Sequence, residues 1–192
     1  AGGPTATGWT AVAPSDLWVA GGPSGWVTAN NQPVGSFDRG TAGLPASMTA
    51  DQKALFEDGA SLNATKATFR VKVSGAGNYG VRYYVGDSAK AWPGIKIQVE
   101  GQVENGGNPV GQLAMNVNRY WSYTLTGKDT GGAGGVAGDG YLDVTIFGSN
   151  VWVLNGLDVA SGGVGSLPPS LVSGAPLRAA EPVLVGPAAA SL

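Results

Sequence analysis

Strict alternation of apolar and polar residues recurs in segment after segment of this chain. A side-chain period of two belongs to a strand with one buried face. ATFRVKV (67–73) sets Ala67, Phe69, Val71 and Val73 against Thr68, Arg70 and Lys72. YGVRYYV (79–85) sets Tyr79, Val81, Tyr83 and Val85 against Gly80, Arg82 and Tyr84. GIKIQVEG (94–101) buries Ile95, Ile97 and Val99 and exposes Lys96, Gln98 and Glu100. QLAMNVN (112–118), YWSYTLTG (120–127), YLDVTIFG (141–148) and VWVLNGLDVA (151–160) continue the series. Half-wet strands at such short spacing predict antiparallel sheets. Two such sheets bury their apolar faces against each other, so the fold class is all-β, an antiparallel two-sheet β-sandwich of the jelly-roll kind.

The remaining segments fit around that sandwich. Residues 1–35 carry Trp9, Trp18 and Trp26 among Gly, Pro, Asn and Ser and read as short strands and loops. SFDRGTA (36–42) reads as a polar turn. TADQKALFED (49–58) is the one helix candidate: Thr49 is placed to cap it, Gln52 to complete a capping box, and Leu55 and Phe56 to face inward. Two units are therefore expected, a sandwich over residues 1–160 and a Pro/Gly/Ala-rich extended tail or linker over 161–192. The tail holds five of the 12 prolines and only Arg178 and Glu181 as charges. Pro168-Pro169 favours an extended course. Pro182, Val183, Leu184 and Val185, within EPVLVG, form a short apolar strand suited to packing on the domain or on a neighbour.

Composition excludes much chemistry. The chain has no Cys and therefore no disulfide framework or thiolate metal site. It has no His, which removes Ser-His-Asp and Cys-His catalysis and His-ligated zinc. A net charge of −2 supplies no broad basic field for nucleic acid. No apolar run is long enough to span a membrane as a helix. The start, AGGPTATG, lacks a basic region and an apolar core and reads as a mature terminus. Gly86-Asp87-Ser88 matches the opening tripeptide of one esterase class, but without His no base would activate Ser88, and a Ser–Lys pair with Lys90 has no other support. The competing reading is a turn at a strand end. No enzyme activity is expected. The glycines of GGAGGVAGDG (131–140) precede a strand, not a helix, and so make a loop, not a dinucleotide site.

One ordered set of motifs is familiar: Phe37-Asp38-Arg39-Gly40-Thr41, Asp58, Thr68-Phe69-Arg70-Val71-Lys72-Val73, Tyr79-Gly80-Val81, Gly86-Asp87, Ile97-Gln98-Val99-Glu100-Gly101, Asp139-Gly140-Tyr141-Leu142-Asp143-Val144, and Val153-Leu154-Asn155-Gly156-Leu157-Asp158-Val159. Over residues 8–160 the chain resembles the galactose-binding-like β-sandwich domains of bacterial secreted and surface proteins. It is similar to the non-catalytic domain beside rhamnogalacturonan acetylesterase modules and to malectin-type and carbohydrate-binding modules. The resemblance implies a non-catalytic sandwich, with sugar binding in some relatives and an extracellular or cell-surface location.

The candidate contact residues are aromatics and their polar neighbours. Exposed Trp and Tyr stack on the C–H faces of sugars. Trp92, in the loop AWPG, is the leading platform, followed by Trp26, Tyr84 and Trp121, with Arg82 and Asn155 as polar partners. Trp9, Trp18 and Trp152 are assigned to the core. Asp38, Asp58 and Asp87 are the candidate calcium ligands, since calcium takes oxygen ligands from loops; the competing reading is turn chemistry. No other cofactor is expected. Glu100 is the most plausible acid for hydrolytic chemistry, which needs a paired carboxylate. Asn63-Ala64-Thr65 is a glycosylation sequon relevant only to a eukaryotic secretory route.

Two functions follow. The first is a structural subunit that self-assembles into a surface layer or filament, its tail lying on a neighbouring copy. The second is a carbohydrate-binding module recognising a polysaccharide through exposed aromatics, at the loop end or on a sheet face.

Overall fold

The computed structural model describes residues 5, 8–62, 66–75, 77–92, 94–100, 102–103, 119–129, 138–148, 152–167 and 169–170. The fold is an all-β sandwich of antiparallel strands. The first layer is a five-stranded sheet in the order β1-β4-β9-β6-β7. Its strands are β1 (Ser24–Val27), β4 (Lys66–Lys72), β9 (Tyr141–Phe147), β6 (Lys96–Val99) and β7 (Gln102–Val103). The second layer is built from two three-stranded sheets. In one, β10 (Trp152–Leu154), β3 (Asp58–Leu62) and β2 (Gly35–Asp38) are neighbours; in the other, β11 (Gly156–Ser161), β5 (Asn78–Asp87) and β8 (Arg119–Lys128). Segment 152–161 joins them. It bonds β3 through Leu154 and β5 from Gly156 onward, and Asn155 at the junction donates its N–H to the Tyr84 carbonyl.

The alternation places the core as expected. Ala67, Phe69, Ile97, Val99, Leu142, Val144 and Ile146 of the first layer meet Tyr79, Val81, Tyr83, Val85 and Val153 of the second. Trp26 stacks on Trp152 at 5.7 Å and meets the edge of Phe69. Trp152 is fully buried, as its core assignment required.

The helix forms where its cap predicted. In α1 (Ala50–Phe56) the Thr49 hydroxyl accepts from the Gln52 N–H at 3.2 Å, and the Gln52 side chain accepts from the Thr49 N–H at 2.7 Å. Leu55 and Phe56 point onto the outer side of β5. There they make a second cluster with Leu44, Met48, Tyr84, Tyr120 and half-buried Trp9. The period-two reading left this side of β5 to solvent; α1 and the N-terminal loop cover it instead.

Three other local expectations change. Residues 36–42 were read as a turn, but Gly35–Asp38 is a strand paired with β3, because Phe37 is buried. Strands β1 and β3 are short and Gly-containing, so neither displays a full period. Trp18 was assigned to the core, yet it is only half-buried and lies on the outer face of the first sheet. Gly25 makes that crossing feasible: a Cβ there would sit 2.5 Å from the Trp18 nitrogen. Past residue 160 the chain still packs on β5. Gly163 bridges Tyr79, and its carbonyl occupies the space a Cβ on Gly80 would need.

Candidate functional site

The sequence motifs converge at one end of the second layer, and there they form a closed structural knot. Asp87 ends β5 and is buried. Arg39 grips it with two hydrogen bonds of 3.1 Å, the Trp92 indole donates to it at 2.8 Å, and the N–H groups of Ala89 and Lys90 donate at 2.7 and 3.2 Å. Burial pushes the Asp87 carboxyl up, but Arg39, the Ala89 N–H and the Trp92 indole outweigh it and hold it below its ordinary value. Phe37 stacks on Trp92, with the Arg39 guanidinium 4.9 Å from the Phe37 ring and the Lys90 ammonium 4.2 Å from the Trp92 ring. The Ser88 hydroxyl bonds the Tyr120 phenol, which burial pushes up. Gly86-Asp87-Ser88 is thus a strand-end turn whose aspartate organises the loops.

Beside the knot, Asp38 and Asp58 face each other across β2 and β3. The Asn155 amide donates to the Asp58 carbonyl at 2.8 Å, and Asp38 accepts from the Gly40 N–H at 2.9 Å. Glu57 is buried; burial first, then the charges of Asp58 and Asp38, raise its carboxyl above the ordinary range. Glu57 Oε1 and Asn155 Oδ1 are buried without a hydrogen-bond partner among the described residues. Of the candidate calcium ligands, Asp38 and Asp58 face each other, whereas Asp87 is taken up in the knot. The Asp87 oxygens are taken by four protein donors, and among the described residues no group of three or more acidic side chains could hold a metal. Asp87 is therefore committed to protein donors and not available as an ion ligand.

The expected sugar platforms are also corrected. Trp92 and Trp26 are each 4% exposed and Tyr84 is fully buried, so no face of these rings is free to stack. Tyr84 lies beneath α1 and Trp9; its hydroxyl donates to Asp158 at 2.9 Å. Arg82 pairs with Asp158 at 3.5 Å, both nearly buried, and burial raises Asp158 against the opposing pull of Tyr84 and Arg82. Asn155 is half-buried and serves the β10–β11 junction. The Trp121 backbone pairs with Val85, while its side chain lies outside the described residues. The tail residues Pro182, Val183, Leu184 and Val185, the sequon Asn63 and strand candidate 112–118 also lie outside them. Glu100 sits at φ 46° in the two-residue turn between β6 and β7, accepting from the Asp143 N–H at 2.6 Å.

The accessible aromatic and polar surface lies elsewhere, on the outer face of the first sheet. Strand register sets its rows across β4, β9 and β6: Lys66–Phe147–Lys96, then Thr68–Thr145–Gln98, then Arg70–Asp143, then Lys72–Tyr141. The inward residues between these rows are the buried Ala67, Phe69, Leu142, Val144, Ile146 and Ile97, so the rows themselves point outward. Thr68 and Thr145 share a hydrogen bond of 2.8 Å. Arg70 binds Asp143 through two bonds of 2.7 Å, which raise its pKa. Its guanidinium lies between Trp18 and Tyr141, 4.7 and 5.7 Å from their ring centres. Tyr141, Phe147 and Trp18 are all half-buried. Sequence reading missed this face as a site. YLDVTIF does carry the signal, an aromatic at each end of its polar side, but Lys66, Lys96 and Trp18 join it only through register and a loop crossing.

No family profile matches the chain, and no curated protein matches it. Solved structures share its fold. A β-glucuronidase of Bacteroides uniformis superposes with a TM-score of 0.50 at 14% identity, over 76% of this chain and 15% of that one. The plant receptor-like kinase ANX2 gives 0.52 at 10% identity, over 72% and 39%. The ANXUR1 extracellular domain from Arabidopsis thaliana gives 0.51 at 9% identity, over 66% and 38%. The chain thus spans well under half the length of these proteins. The class is a β-sandwich of the kind found within a glycosidase and in receptor ectodomains.

Proposed function

We propose that this chain is a non-catalytic glycan-binding domain of an extracellular or cell-surface protein, and that its binding surface is the outer face of the β4–β9–β6 sheet. The observation that carries the reading is the register of that face. It sets half-buried aromatic rings among hydroxyl, amide and charged side chains on one sheet face, and stacking plus polar contacts to hydroxyls is how proteins hold sugars. The occurrence of the same fold inside a glucuronidase and in receptor ectodomains supports it. Among the described residues no helix is long and apolar enough to cross a membrane. The absence of His and the engagement of Ser88 with Tyr120 support the non-catalytic part. The self-assembling reading finds no support in the described residues or in the similar structures.

The test is a glycan array probed with the full chain and with Phe147→Ala. Retention of one or more polysaccharides by the parent, reduced in the variant, is expected. An array without any retained glycan, or retention untouched by Phe147→Ala together with Tyr141→Ala, overturns the reading.

A further inference from the structure

Resting on that reading, we infer that the glycan is an acidic polysaccharide, lying along β9 with its carboxylates or sulfates held where Lys66 and Lys96 flank Phe147. Three observations carry this. First, both lysines stand in register with Phe147, on either side of it. With strands about 4.8 Å apart, their Cα atoms are about 10 Å from each other across the ring. An anionic sugar stacked on Phe147 would meet an ammonium on either flank. Second, neither lysine is in an ion pair among the described residues. Arg39–Asp87, Arg70–Asp143 and Arg82–Asp158 are ion pairs of this kind, and none involves Lys66, Lys72 or Lys96. The row next to that of Phe147 holds Thr68, Thr145 and Gln98 and no carboxylate; the first acid along the face, Asp143, is two rows away and paired with Arg70. On a chain of net charge −2, the Phe147 end of the face, set apart from the Asp143 and Glu100 carboxylates around Arg70, selects for anions by local complementarity. Third, the face is long. Tyr141 and Phe147 are six residues apart on β9, ~20 Å at the usual strand rise. That length suits a chain of several sugars better than one ring, and Tyr141 with Arg70 marks its far end.

The test is calorimetric titration of the full chain at low salt with polygalacturonate, alginate and a sulfated galactan. The neutral control is fully methyl-esterified polygalacturonate, which keeps the backbone and loses the charge. At least one acidic polymer is expected to bind more tightly than the neutral control. Lys66→Gln/Lys96→Gln should reduce that affinity about tenfold, the size expected for two solvent-screened charge contacts. Raising salt should have the same effect on the parent. Both substitutions are on the sheet surface, and an unchanged melting temperature confirms the fold. Binding of the neutral polymer as tightly as the acidic ones, indifferent to both lysines, overturns the inference and leaves the glycan reading standing. Failure of all the acidic polymers while the array retains a neutral glycan does the same. Equal binding of a single-stranded poly-dT, lost in the same double variant, marks general anion attraction and also overturns it.

Discussion

Two carboxylates at one end of the sandwich titrate in opposite senses. Asp87 is held low by Arg39, a backbone N–H and the Trp92 indole. Its share of stability is present above the ordinary aspartate pKa and is lost as pH falls through the depressed folded value. Asp87→Ala strands Arg39 and the Trp92 indole and should cost about 3 kcal/mol in urea unfolding. Glu57 is the reverse case. Burial and the neighbouring Asp58 and Asp38 raise it, so the folded form holds its proton more tightly than the unfolded chain does. Stability therefore falls as pH rises from the ordinary glutamate pKa through the raised one. Glu57→Gln keeps the shape without the charge. At pH 7 it should raise stability by about 1 kcal/mol, with little gain at pH 4. An unchanged or lower melting temperature at pH 7 would count against an uncompensated carboxylate there. Neither role was visible in sequence. Asp87 read as a strand-end turn, with esterase-like and calcium roles as the alternatives; the turn is there in its bond to the Ala89 N–H, but its long-range partners Arg39 and Trp92 meet it only in the fold.

At the scale of elements, legibility followed periodicity. β4, β5, β6, β8 and β9 were predicted to within a residue or two, since each alternates long enough to show its period. The helix was legible from its cap, and Thr49→Ala should cost about 1 kcal/mol by removing the bond to Gln52 N–H. The four-residue β1 and β2 were not legible, nor was β3, because short strands held by tertiary pairing display no period. The face of β5 was half legible. Tyr79, Val81, Tyr83 and Val85 point inward as read, but sequence gave no sign that α1 and Trp9 would bury Tyr84 on the opposite side. The segment after β11 is another such cover. Gly80→Ala would drive a methyl into the Gly163 carbonyl, and a loss of about 1–3 kcal/mol with faster hydrogen exchange in 163–167 is expected.

Across the whole molecule, the two layers bury what alternation assigned to the core and leave two unlike outer faces. The outer side of β11–β5–β8 is covered by α1, Trp9 and the 163–167 segment, with Arg82 and Asp158 paired beneath. The outer side of β4–β9–β6 keeps its aromatics half-open and its lysines free of ion pairs among the described residues. Trp92, Trp26 and Tyr84, favoured by sequence, were isolated loop or strand residues, and packing claimed them; large apolar rings near a core are worth more buried than exposed. The face that remains is recognised by register, a property of pairs of strands rather than of any one segment. The most direct test is an amide NMR titration of the full chain with an acidic oligosaccharide. Shifts concentrated on Lys66–Lys72, Lys96–Val99 and Tyr141–Phe147 are predicted, while shifts confined to Ser88, Lys90 and Asn155 at the strand end would contradict the account.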